Sequence, residues 1–161
     1  MLLPQLVGND VKRLIILDSG DVLVLKDLSE MYNWNMNNNI YMGSPDMSAG
    51  IFGNLSKKNL SIYINGGHYL VDIQKVKQKN MYKLFLKYKK LYAKRWPEQR
   101  MINDIANGKV GYLPFEFGLV QPFSFDPSIY KRKKLTIYRY FKLDIISNNS
   151  TFLPKTYEEY F

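Results

Sequence analysis

The chain has no cysteine and a single histidine, His68. The first absence excludes disulfide frameworks, thiolate zinc sites and thiol nucleophiles. The second excludes multi-histidine metal centres and any catalytic triad not built on His68. No apolar run approaches the ~18 residues that a membrane-spanning helix needs. Met1-Leu2-Leu3-Pro4 is too short an apolar start for a secretory leader. Internal repeats and linker-like stretches are also missing. Between Gln74 and Arg95 the chain has eight Lys and one Arg, with no Asp or Glu.

What is present fits one globular domain. The chain has 161 residues, 46% of them hydrophobic and 15% aromatic, enough for a real core. A net charge of +9 points to an anionic partner: nucleic acid, a membrane surface, or phosphate on a small ligand. A solvated helix face is the more ordinary use of the lysine run, and a second basic run covers Lys131 to Lys134. N-x-S/T sequons at Asn54, Asn59, Asn148 and Asn149 lean towards a secretory-pathway lumen rather than the cytoplasm.

Val11 to Asp18 reads VKRLIILD, and its LIIL core predicts a strand buried on both faces. Ser19-Gly20 breaks it before VLVL resumes an extended pattern. Asp27 is placed to cap a short helix, with Glu30 as its capping-box partner. Ile40-Tyr41-Met42 and Tyr69 to Ile73 read as strands, and Met47 to Asn59 as a loop. Leu60 to Ile64 is strand-like, with Gly66-Gly67 expected to force a turn. Apolar spacing over Met81, Leu84, Phe85, Tyr88, Leu91 and Tyr92 predicts one helix over 74–95. Pro97 opens a second helix, Glu98 to Asn107, with Gly108 as its C-terminal cap. Val110 to Leu113 is a strand. Strands alternating with helices give the α/β class.

The segment Leu17-Asp18-Ser19-Gly20-Asp21 places two carboxylates at the end of an apolar strand, where open α/β sheets gather ligands. Two adjacent carboxylates repel, and a hard divalent cation relieves that repulsion. The simpler reading is a polar turn between strands. His68, at the start of a strand, is read as a structural histidine.

Three ordered blocks resemble glycosyltransferase family 8. Leu2 to Glu30 (LLPQL, LDSGDVLVL, DLSE) is similar to that family's L-L-P-E-L, D-x-D, V-L-V and D-L-x-E-L succession. Ile64 to Lys77 (INGGHYLVDIQKVK) resembles F-N-[AS]-G-V-x-L-I-N-L. Glu98 to Pro114 (EQRMINDIANGKVGYLP) resembles D-Q-D-x-L-N followed by a K-x-x-x-L-P strand. Together they lie within 2–115, leaving 116–161 weakly defined in what reads as a single partial domain.

The resemblance implies a GT-A fold, a Rossmann-like mixed sheet. It also implies retaining transfer of a hexose from a UDP-sugar to a glycan, lipid or protein acceptor. Mn²⁺ or Mg²⁺ would be held by Asp18 and Asp21. Asn65, Gly66 and Gly67 would line the sugar pocket, Glu98 would hold donor-sugar hydroxyls, and Gln99 would lie beneath the anomeric carbon. Nucleic acid is not an expected partner on this reading, while peripheral membrane contact fits the basic surface. The chain departs from the family in its D-x-x-D spacing, in Glu98 for Asp, and in N-G-G for N-[AS]-G. It also lacks the family's N-terminal nucleotide-clasping strand and its H-x-x-G-x-x-K-P-W segment, which carries a third metal ligand. A non-catalytic glycosyltransferase-like piece, or a basic binding module using the 74–95 helix, are the other readings.

A sheet lacking family strands exposes backbone edges that template aggregation. Expression is therefore expected to give a low soluble yield. A monomeric sample that melts cooperatively would contradict this.

Overall fold

The computed structural model describes residues 3–19, 22–24, 26–46, 62–88, 97–120 and 137–139. Four strands form the main sheet: β1 (Arg13–Leu17), β3 (Tyr41–Pro45), β4 (Ile64–Asp72) and β5 (Val110–Tyr112). Their order is β1-β4-β3-β5. β4 is antiparallel to both β1 and β3, and β3 is parallel to β5. Three strands therefore point one way, and β4 is inserted among them in reverse. A smaller sheet pairs β2 (Val22–Val24) and β6 (Leu119–Val120) with β7 (Ile137–Arg139).

The helices are α1 (Leu3–Leu6), α2 (Ser29–Tyr32), α3 (Ile73–Gln78), α4 (Met81–Tyr88) and α5 (Pro97–Ile105). The core lies on both faces of the main sheet. One cluster joins Ile40, Tyr41, Ile64 and Val71 to Val76, Met81, Ile102 and Ala106 from the helices and turns. The other joins Met42 and Leu70 to Met31, Met36, Leu113 and Phe117, with Trp34 set edge-on to Phe117.

β1 sends Leu14 and Ile16 to the first cluster and Ile15 and Leu17 to the second. Both faces are covered, as the LIIL run predicts, but all five residues are only half-buried. The reason is position: β1 stands at the edge of the main sheet and pairs only with β4 among the described residues.

The predicted turn at Gly66-Gly67 is not a turn. β4 runs unbroken through both glycines. What the glycines mark is an irregularity: Gly43 faces Tyr69 and Pro45 faces Ile64, so β4 advances five residues while β3 advances two. Side chains alternate along a strand, so this odd mismatch changes the face that β4 presents. Ile64 and Val71 consequently share one core cluster despite unlike parity. A Cβ on Gly66 would stand 2.7 Å from Gln99 Cβ and 3.1 Å from its Cα. Glycine is required there because α5 approaches the strand backbone closely.

The single helix expected over 74–95 is two helices in its described part. Asn80 breaks it at φ 47°, a left-handed conformation that Asn tolerates. Its side chain then accepts from the Lys83 N–H at 3.4 Å, capping α4. The first lysines of the basic run are structural. Lys75 meets Asp72 at 3.2 Å and donates to the Asn39 carbonyl. Lys77 donates to the Val7 carbonyl at 2.9 Å and to Asn9 Oδ1 at 3.1 Å, closing the turn after α1. Residues 89–95 lie outside the described part, as do 47–61.

The expected capping box at Asp27 also differs. Asp27 Oδ1 accepts the Ser29 N–H at 2.7 Å, and Leu28 stands at the N-cap without a side-chain bond. Hydrogen bonds from Ser29 hold the Asp27 carboxyl below its ordinary range. α5 follows its prediction closely, with Pro97 in the first turn and Gly108 at φ 78° beyond its end.

His68 is fully buried and joins β4 to β3. The Ser44 hydroxyl donates to the Gly118 carbonyl, so it must accept from His68 Nε2–H, 2.8 Å away. That bond fixes the tautomer and makes His68 a structural residue. No helix among the described residues is long and apolar enough to cross a membrane.

Asn103 ties α5 to the start of β4. Its Oδ1 accepts the Ile64 N–H at 2.9 Å, and its Nδ2 donates to the Ile64 carbonyl at 2.9 Å and the Gln99 carbonyl at 2.8 Å. Asn103→Ala leaves those buried groups unsatisfied, at an expected cost of about 2–4 kcal/mol in urea unfolding. Asn103→Asp puts an acceptor against two carbonyls and should cost at least as much; an Asp variant as stable as wild type would contradict this geometry. Gly66→Ala should lower stability by about 1–3 kcal/mol through displacement of α5, and an unchanged urea midpoint would show that the helix yields freely.

Candidate functional site

β1 and β3 end at the same edge of the sheet, and β4, running in reverse, begins there. The residues just past or just inside these ends are Asp18, Asp46, Asn65, Gly66 and Gly67. Backbone bonds hold them in register: Asp18 N–H donates to the Gly67 carbonyl at 2.7 Å, and Asp46 N–H to the Tyr63 carbonyl at 3.0 Å. The first turn of α5 adds Glu98 and Gln99 from the side. The carboxyl edge of the sheet thus carries the expected ligand-binding position.

The site has two layers. The lower is polar and buried: Asn65 is 3% exposed, Asp46 8% and Gln99 9%. Gln99 Nε2 donates to Asp46 Oδ2 at 2.6 Å, and its Oε1 accepts the Gly66 N–H at 2.9 Å. Asn65 Nδ2 donates to the same Asp46 oxygen at 3.2 Å, and its Oδ1 accepts the Gly67 N–H at 2.8 Å. The upper layer is exposed and carries the carboxylates of Asp18 and Glu98.

Tyr69 and Tyr63 report on these charges. Burial pushes the Tyr69 hydroxyl up, and the carboxylates of Asp18 and Glu98 push it further. Asp18 and Glu98, eighty positions apart in sequence, therefore act on one half-buried tyrosine. Burial also raises Tyr63; a hydrogen bond with Gln99 lowers it, and Asp46 raises it again. Tyr69 packs edge-on to Tyr41, with ring centroids 5.9 Å apart.

Of the residues singled out in the sequence, Asp18, Asn65, Gly66, Gly67, Glu98 and Gln99 meet at this edge. Asp21 lies outside the described residues, so the D-x-x-D spacing has no described geometry. Among the described residues no three His, Asp or Glu groups cluster as a metal site. Asp18 supplies one exposed carboxylate of the hard-oxygen type that Mg²⁺ and Mn²⁺ take, and such ions draw their remaining ligands from phosphate and water. The donor set is compatible with that ion. His68 Nε2 is engaged with Ser44, in the role of a structural residue between β4 and β3.

The sequence reading missed Asp46, Asn103 and Tyr63. Asp46 had a usable signal: it follows Pro45 at the end of a predicted strand, the same placement that drew attention to Asp18. Asn103 stands four residues after Gln99, a polar residue on the otherwise buried face of α5 beside Met101, Ile102 and Ala106. A polar side chain there must find partners.

The profile of glycosyl transferase family 8 matches residues 1–143. The galactosyltransferase LgtC, solved with donor and acceptor sugar analogs, superposes with a TM-score of 0.66 at 17% identity, over 98% of this chain and 63% of LgtC. The apo glycosyltransferase GlyE of Streptococcus pneumoniae TIGR4 superposes at 0.69 and 18% identity, over 99% of this chain and 41% of GlyE. The bifunctional glycosyltransferase WbbM, also apo, superposes at 0.68 and 20% identity, over 86% of this chain and 30% of WbbM. The chain spans at most 63% of the length of these structures. No curated protein matches it. These likenesses show the fold, the Rossmann-like mixed sheet of GT-A glycosyltransferases, and the profile match shows the family: the chain belongs to glycosyl transferase family 8.

Proposed function

We propose that this chain carries the donor-binding part of a glycosyltransferase that moves a hexose from a UDP-sugar to an acceptor with retention of configuration. The observation that carries the reading is the meeting of Asp18, Asn65, Gly66, Glu98 and Gln99 at the carboxyl edge of one sheet. Family membership supports the transferase class. The sugar analogs bound to the similar LgtC support a sugar donor and a sugar acceptor.

Asp18 and Asp21 would hold Mn²⁺ or Mg²⁺ against the diphosphate. The bound ion would supply Lewis acidity and neutralise charge on the departing UDP. Glu98 is exposed at the mouth of the site and carries acceptor oxygens for sugar hydroxyls. The bare Cα of Gly66 lets Gln99 pack against the β4 backbone beside the sugar site, and Gly67 would let the sugar approach that backbone. Gln99 already accepts Gly66 N–H through Oε1. A carbonyl oxygen has two lone pairs, so one remains to face developing positive charge at the anomeric carbon. An amide is a weak nucleophile, so its role here is electrostatic. Residues 1–161 act as a single unit of a larger catalytic domain on this reading, with the acceptor drawn from glycans, lipids or proteins.

Calorimetric titration of UDP, with and without Mn²⁺, tests the site directly. Binding is expected to require Mn²⁺ and to weaken by about 100-fold in Asp18→Ala/Asp21→Ala. A folded sample that binds UDP equally well without metal, or in the double variant, would overturn the assignment. Glu98→Ala should leave UDP affinity within about twofold while weakening UDP-hexose binding by about 10–100-fold, the worth of a hydrogen bond to a charged group. Equal losses for UDP and UDP-hexose would remove Glu98 from the sugar site.

A further inference from the structure

A side-chain amide has two ends of similar shape and opposite hydrogen-bonding sense. Turning Asn65 or Gln99 over would change little sterically, yet it would invert what the site offers a sugar. Some element of the structure must fix that sense. At one end it is the backbone: the Gly67 and Gly66 N–H groups donate to Asn65 Oδ1 and Gln99 Oε1 at 2.8 and 2.9 Å. At the other end both amide nitrogens converge on a single atom, Asp46 Oδ2, at 3.2 and 2.6 Å. A backbone N–H cannot accept, and an ionised carboxylate cannot donate. Flipping either amide would set N–H against N–H at the glycine and oxygen against oxygen at Asp46.

We propose that Asp46 is a positioning residue of the transfer site, whose Oδ2 fixes the amide orientation of both Gln99 and Asn65. The proposal rests on the donor-site reading above and deepens it. Asp46 acts through its neighbours: it is 8% exposed, and the short bond from Gln99 is of the charge-assisted kind. Its own place is set by the Asp46 N–H bond to the Tyr63 carbonyl at 3.0 Å, which levels it with the start of β4. The two glycine N–H groups bias each amide at one end only. Without the carboxylate, water and the Tyr63 hydroxyl beside Gln99 could meet the nitrogen end in either sense, since each both donates and accepts, and the flipped state would lose its opposing contact at Asp46.

The test pairs a structural with a functional readout on the full chain. The side-chain NH₂ resonances of Gln99 are assigned in ¹⁵N-labelled protein by their loss in Gln99→Leu. They are then followed in Asp46→Ala and in Asp46→Asn, which keeps the shape and serves if the alanine variant fails to fold. UDP affinity with Mn²⁺ and the release of UDP from UDP-glucose and UDP-galactose are measured alongside. Asp46→Ala is expected to move the Gln99 NH₂ signals, to leave UDP affinity within about twofold, and to lower kcat about 100-fold. Asp46→Asn should recover about tenfold of that loss. In a Gln99→Ala background, Asp46→Ala should change kcat by less than about threefold, because the two residues act as one unit. Unmoved Gln99 signals, or a loss of kcat as large with Gln99 absent as with it present, would overturn the proposal. A folded wild-type chain that neither binds UDP nor releases it would overturn the donor-site reading instead. In that event the Gln99 signals alone decide whether Asp46 fixes the amide.

Discussion

One asparagine lets β4 begin where it does. Asn103 offers the Ile64 N–H an acceptor and the Ile64 carbonyl a donor, the pair of bonds that a neighbouring strand would supply. It adds a bond to the Gln99 carbonyl in its own helix. The first turn of α5 and the first residues of β4 are thereby locked to each other at the sheet edge. The close approach at Gly66 follows, because a helix tied this tightly leaves no space for a Cβ. The irregular pairing of β4 with β3 lies in the same few residues. A regular strand would continue its alternation through this point; the mismatch turns Asn65 and Gly66 towards Asp46 and Gln99.

Burying amides and a carboxylate together is costly unless every end is paired, and a half-satisfied network is worse than an apolar core. Here the pairing uses backbone groups as well as side chains. Two glycine N–H groups that the irregular stretch of β4 leaves facing the site take the amide oxygens, and Asp46 takes the amide nitrogens. Gly66 thus supplies both clearance for α5 and a donor for the site, and Gly67 supplies a second donor. The clearance explains why a glycine stands at position 66 inside a nine-residue strand, where it would otherwise weaken it.

Legibility in the sequence follows the range of the interaction. α5 was readable because its signals are local: Pro97 at the start and Gly108 past the end. β1, β3 and β5 were readable as apolar runs, and Asp18 as a carboxylate at a strand end. The break at Asn80 was hidden, since Asn is compatible with a helix interior and only its positive φ marks the stop. Gly66-Gly67 signalled irregularity correctly but not its kind, because a turn and a mismatch in pairing use glycine alike; the strand facing it decides between them. Asp46 and Asn103 were missed because their significance lies in partners 53 and 39 positions away. No periodicity within a short window carries such information.

The division of the site into a buried amide layer and an exposed carboxylate pair has a chemical logic. Groups that must hold one orientation through a transition state gain from being fixed before the substrate arrives, since reorganising them during the reaction would add to the barrier. Asn65, Gln99 and Asp46 are held in that way. Groups that meet a charged diphosphate or hydrated sugar hydroxyls gain from staying solvated until binding, because burying bare carboxylates in advance would be costly. Asp18 and Glu98 keep that access. The half-buried Tyr69, packed edge-on to Tyr41, lies close enough to both exposed carboxylates for them to push its hydroxyl up.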